Sequence, residues 1–169
     1  MTHNSALGLT LVLILAMVSG PKAWAGKDKG TCMVSLMNPE VAKNEFHQMA
    51  TKFLAAVRER DLGTFEQFFR EDLEFAAILP GGKIINDVPT FMASQKPWFN
   101  GNTGSFDFSI QRTEVSADLG SAHVMADYRN VDASGKPFEL EIYISFVFRK
   151  VDKKWFLVHD QNTVLREVK

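Results

Sequence analysis

The chain's titratable and nucleophilic residues offer little metal chemistry. Past an apolar N-terminal run, the histidines are His47, His123 and His159, and the single cysteine is Cys32. No two of these histidines have the spacing that sets two ligands on one helix face. One thiol builds neither a Cys-based zinc site nor an intrachain disulfide. No metal and no cofactor is therefore expected. No Gly-x-Ser-x-Gly elbow occurs, and Gly81-Gly82 sits in a hairpin-like turn rather than before a helix that could hold phosphate. What remains is acid–base chemistry, with His159 and Asp127 as the catalytic candidates. His159 and Asp160 do not form a ready dyad, because successive strand residues point to opposite faces.

These residues sit in an ordinary globular composition. Hydrophobic residues make up 46% and charged residues 23% of 169, which excludes a disordered tail or a fibrous repeat. Nineteen basic side chains against 20 acidic ones give a net charge of -1. That balance makes no electrostatic case for a nucleic-acid partner.

The N-terminus reads as an address label. Ala6–Val18 is uncharged and apolar, too short for a bilayer-spanning helix of ~20 residues. Gly20 and Pro21 follow, then Ala23-Trp24-Ala25, a small-x-small cleavage pattern. Residues 1–25 are thus expected to be a signal peptide cut after Ala25. Export to a periplasmic or extracellular space follows, with no stable membrane anchor after cleavage. Residues 26–37 read as a flexible arm carrying Cys32, and residues 38–169 as one domain.

That domain holds the elements that must position any site. Asn38-Pro39-Glu40 is a helix start, with an Asn cap and Pro where its missing N–H costs nothing. Ala42, Phe46, Met49, Ala50, Phe53, Leu54 and Val57 then recur at three- and four-residue spacing, one apolar stripe. A short helix with Phe65, Phe68 and Phe69 follows Asp61. Glu74–Leu79 is a strand candidate closed by Pro80-Gly81-Gly82. Asp87 caps a third helix that Pro97 should end. Beyond Ser105 the pattern alternates, with short connections, so neighbouring strands should pair antiparallel. The sum is an α+β fold, helices packed on one face of a curved antiparallel sheet.

Register decides which polar groups face those helices. A two-residue loop at Asp152-Lys153 pairs Val151 with Lys154, Phe148 with Leu157, Phe146 with His159, Ile144 with Gln161 and Ile142 with Thr163. His159, Gln161 and Thr163 then point inward beside Phe146 and Ile144 and line a pocket. Alternatively His159 is a satisfied core histidine. A three-residue loop would flip the strand and bring in Asp160 and Asn162 instead. Hydrophobicity turns Ala122, Val124, Ala126 and Tyr128 inward, making Tyr128 a hydroxyl donor at the pocket wall. A four-residue turn Ala133–Lys136 would send Asp127 inward instead, as a base. Trp98-Phe99 is either an aromatic lip at the pocket mouth or a clamp holding the third helix to the sheet.

The order of these segments resembles the nuclear transport factor 2-like superfamily, with its SnoaL-like and ketosteroid-isomerase-like members. The similar stretches are Phe53–Phe75, Pro80–Asp87 and Phe146–Thr163. Arg60-Asp61-Leu62 resembles the charged turn after the first helix, Asp72–Phe75 the entry to the first strand, and Trp155 with His159 the final strand. The resemblance implies a cone whose concave sheet and helices enclose a pocket open at one end. It also implies dimers through the sheet, and members include isomerases, dehydratases and pure binding or assembly modules. An isomerase of this fold needs a carboxylate base and acidic hydrogen-bond donors, and no secure match to that set stands in the early strands. The expectation is an exported SnoaL-like domain protein that binds a small apolar or amphipathic molecule in a largely apolar pocket. The alternative is an isomerase- or dehydratase-type enzyme using His159 or Asp127.

Overall fold

The computed structural model describes residues 38–168; the signal-peptide and arm expectations, and Cys32, lie outside them. Helix α1 spans Pro39–Arg58, and the Asn38 side chain accepts from Glu40 N at 3.0 Å. Its stripe buries Phe46, Ala50, Phe53 and Leu54. Helix α2, Leu62–Glu66, is capped by Asp61, which accepts from Thr64 N at 2.9 Å.

Strands β1 (Ala76–Ile78) and β2 (Ile84–Ile85) form a small hairpin. Gly81 and Gly82 turn it at φ 88° and 83°, a region that glycine enters without steric cost. Helix α3, Val88–Asn100, begins at Asp87, which accepts from Thr90 N at 2.7 Å. The helix runs through Pro97 rather than ending there. Both Pro97 and Ala93, one turn earlier, are exposed, so water can serve the carbonyl that loses its partner.

Four long strands follow: β3 (Ser105–Val115), β4 (Leu119–Val131), β5 (Pro137–Val151) and β6 (Lys154–Val168). The sheet order is β2-β1-β6-β5-β4-β3. The expected all-antiparallel sheet needs one correction: β1 pairs with β6 in parallel, so the curved, unclosed sheet is mixed. A three-residue strand carries no signal of which neighbour it will join.

The inward face of β4 and β5 packs on α1. Ala122, Val124, Ala126, Ile142, Ile144, Phe146 and Phe148 are all buried. Phe46 meets Phe148 edge-on at 5.9 Å, and Phe53 meets Phe146 at 5.2 Å. Phe46 lies so close to β4 that a Cβ on Gly120 would stand 2.4 Å from its ring. Glycine is therefore required there by space.

Candidate functional site

A cavity of about 80 Å³ opens between the helices and the inward sheet face. Every layer contributes to its wall: Phe53 and Val57 from α1, Phe65 from α2, Phe91, Gln95 and Phe99 from α3. Phe106 and Phe108 come from β3, Ile144 and Phe146 from β5, and Asp160 and Asn162 from β6. Clefts of about 750 and 740 Å³ lie elsewhere, but these are surface grooves with charged walls such as Lys43, Arg112 and Glu114, or Lys52 and Lys153. Among the described residues, the small cavity combines an aromatic wall with a buried carboxyl.

Asp160 reaches it through an irregularity in β6. The β5–β6 turn is the expected two-residue one: Asp152 and Lys153 both adopt positive φ, and Val151 pairs with Lys154. Phe148 pairs with Leu157, also as expected. The next pair is Val147 with His159, so Val158 stands opposite nothing. This one-residue bulge reverses the parity of the strand. Phe146 now pairs with Asp160, and Ile144 with Asn162.

His159, Gln161 and Thr163 are therefore corrected to the outward face, opposite Val147, Ser145 and Tyr143. The flipped residues are those a three-residue loop would have brought in, but the bulge flips them, not the loop. Asp127 is also outward, between Asp107 and Glu141. Ile144 and Phe146 do line the cavity. Tyr128 faces inward but lies outside the cavity wall, stacked on Phe106 at 4.5 Å and accepting from Asn130 Nδ2. Trp98 also sits beside the cavity rather than in its wall, against Phe99 and Phe106. The Arg60 guanidinium covers its ring at 4.1 Å and donates to the carbonyls of Trp98, Gly101, Thr103 and Gly104. This contact holds the α3–β3 corner, and with it Phe99 and Phe106. Gln95 was missed by sequence reasoning, since a polar residue on a helix reads as surface.

The polar atoms of the cavity are held in definite orientations. Asn162 Nδ2 donates to Ile78 O at 3.1 Å and to Asp160 Oδ1 at 2.9 Å. A backbone carbonyl can only accept, so the amide cannot be reversed. Asp160 Oδ2 has no protein hydrogen-bond partner. It is not sealed in either: among the described residues, only Trp98 Nε1 is a fully enclosed side-chain polar atom without a partner. Burial raises the Asp160 pKa to about 7, with the Asn162 hydrogen bond opposing it. No Lys, Arg or His lines the cavity to compensate the charge. Among the described residues, no cluster of three His, Cys, Asp or Glu side chains stands ready for a metal ion.

Comparison with known proteins agrees with this architecture. A family model described as SnoaL-like domain matches residues 47–166. Solved structures of similar shape include an NTF2-like family protein from Streptomyces avermitilis, a candidate dehydratase, at 16% identity and TM-score 0.63, covering 75% of this chain and 98% of that one. A ketosteroid isomerase-like protein from Erwinia carotovora atroseptica aligns at 17% identity and TM-score 0.62, covering 76% and 98%. The association domain of C. elegans CaMKII aligns at 15% identity and TM-score 0.55, covering 74% and 97%. Identities this low carry the fold alone. No curated protein matches the chain significantly.

Proposed function

This chain belongs to the SnoaL-like domain family, and from that premise we propose that it binds a small, largely apolar molecule in the cavity between helices and sheet, with Asp160 as its polar anchor. One observation carries the reading. Asp160, a buried carboxyl whose Oδ2 has no protein partner, stands in a wall of mostly aromatic and aliphatic side chains, where burial disfavours its charged form. A ligand that pairs with Oδ2 would compensate that burial. At about 80 Å³ the cavity holds a fragment the size of a small ring; a longer ligand would extend through the mouth. Toluene and benzyl alcohol probe this directly. Binding should raise the melting temperature with the logarithm of ligand concentration once that exceeds Kd. Phe146→Trp, which fills the cavity, should abolish the increase, and an equal increase in that variant would sink the reading.

A second reading follows from the same carboxyl. A group titrating near pH 7 can both take and return a proton at neutral pH. Asp160, not His159 or Asp127, is then the acid–base group of an isomerase- or dehydratase-type reaction. Deuterium exchange at the α-carbons of cyclohexanone, monitored by NMR, tests it. Exchange above buffer that disappears in Asp160→Asn supports catalysis; equal exchange in both proteins removes it.

The outward sheet face supports a homodimer. Half-buried Met125, Tyr143 and Val147 form its apolar centre, beside ion pairs Arg129–Asp107 at 2.6 Å and Arg166–Glu141 at 2.8 Å. Light scattering should give twice the chain mass, reduced to one by Tyr143→Arg. The Ala6–Val18 run and Ala23-Trp24-Ala25 support export. N-terminal sequencing of the secreted protein should begin at Gly26.

A further inference from the structure

The cavity's remaining hydrogen-bonding capacity has a sign. Both N–H groups of Asn162 are used, on Ile78 O and Asp160 Oδ1, so its carbonyl oxygen is its uncommitted atom. Ser94 donates its only hydroxyl proton to Phe91 O at 2.7 Å. Its oxygen therefore accepts from Gln95 Nε2 at 3.1 Å, which fixes that amide and leaves Gln95 Oε1 uncommitted. With Asp160 Oδ2, three acceptor oxygens belong to residues of the cavity wall. The wall contributes no cation. Its other surface is mostly phenyl rings, whose faces attract positive charge.

We propose that the ligand is an organic amine, bound as its ammonium ion, with the charged nitrogen on Asp160 and its carbon frame among the phenyl rings. This rests on the reading that the cavity is a binding site. An ammonium is a donor-only group, suited to a wall whose uncommitted side-chain polar atoms are acceptors. It brings the counter-charge that the protein leaves out. A neutral alcohol or ketone has a lone pair to satisfy, and the wall offers it a donor only when Asp160 carries its proton.

The two ligand types respond to pH in opposite senses. Amine binding needs the carboxylate, so it tightens as pH rises through about 7. A ketone or other acceptor ligand needs the protonated acid and weakens over the same range. Among the described residues, Asp160 is the only titratable group on the cavity wall: α1, α2, α3, β3 and β5 present only apolar or amide side chains there, and β6 adds Asn162. His159, next in the chain, faces the other way opposite Val147.

The experiment is calorimetric titration of the full domain with benzylamine, benzyl alcohol and toluene at pH 5.5 and pH 8. At pH 8 benzylamine should bind at least tenfold more tightly than benzyl alcohol. The preference should shrink at pH 5.5 and vanish in Asp160→Asn, which keeps the Asn162 hydrogen bond and the affinity for toluene. Equal affinities at pH 8, or an amine affinity unchanged in Asp160→Asn, would overturn the amine assignment while leaving the cavity reading intact. Absence of binding by all three probes at both pH values would overturn both.

Discussion

The two faces of the sheet use the same strands in opposite ways. Inward, β4 and β5 present Ala122, Val124, Ala126, Ile142, Ile144, Phe146 and Phe148, and among the described residues the ionisable group that joins them in the core is Asp160. Outward, the strands present Ser121, His123, Asp127, Arg129, Glu139, Glu141 and Ser145, linked by contacts such as His123 Nδ1 to Ser145 Oγ at 3.2 Å. On the outward face a carboxylate costs little, because water and arginines compensate it. On the inward face one carboxyl dominates the local chemistry. The difference comes from solvent, not from residue type: both faces hold carboxylates, and burial pushes that of Asp160 up.

The largest effect should come from putting on the inward face the side chains that the bulge keeps off it. Asp160→His with Asn162→Gln does this without touching the register: it sets an imidazole opposite Phe146 and a longer amide opposite Ile144. Burying unpaired polar groups in a phenylalanine core should cost on the order of 5 kcal/mol, read as loss of cooperative urea unfolding.

The Asp160 carboxyl should come next, and its sign is opposite. Its folded pKa lies above its unfolded value, so the native state holds a proton that the unfolded chain releases. Stability should therefore fall as pH rises from about 4 to about 7, by ~4 kcal/mol at most. Asp160→Asn should be more stable than the parent at pH 8 and lack this slope in urea melts. Asp61, Asp72, Glu114 and Asp132 are held below the usual carboxylate range by hydrogen bonds and act on the other side, losing their contribution as pH falls into the acid range. A parent slope that survives in Asp160→Asn would break the contrast between the faces.

Gly120→Ala should cost about 1–3 kcal/mol, since its methyl meets the Phe46 ring and the buried ring has little room to give. His159→Ala should shift stability by no more than ~0.5 kcal/mol and leave toluene binding unchanged, as expected of a side chain on the outward face. A loss of toluene affinity in that variant would return His159 to the cavity.

Much of the fold was legible along the chain. The helix stripe from Ala42 to Val57, the Asn38 and Asp87 caps, the glycine turn at Gly81-Gly82 and the alternation in β4 are local patterns, and local geometry obeys them. The start of the last strand was legible too, because a two-residue turn fixes the first pairs. The site was not. Trp155-Phe156-Leu157-Val158 is uniformly apolar, so no alternation marks where parity changes. Phe156 is buried against Arg70, with the guanidinium 5.3 Å from its ring, and Leu157 N donates to Phe68 O at 2.8 Å. Those partners are distant in sequence, and they are what the bulge accommodates.

Sequence alone therefore determined the elements, their order and the apolar face of each, because helix and strand periodicity are properties of neighbouring residues. Only the tertiary structure decided that Asp160 and Asn162, rather than His159 and Gln161, meet the cavity. One unpaired residue reverses the side chains that follow it, here from His159 to Val164, beyond which Leu165 is unpaired in its turn, and whether Val158 is extruded depends on what Phe68, Arg70 and β5 place against its neighbours.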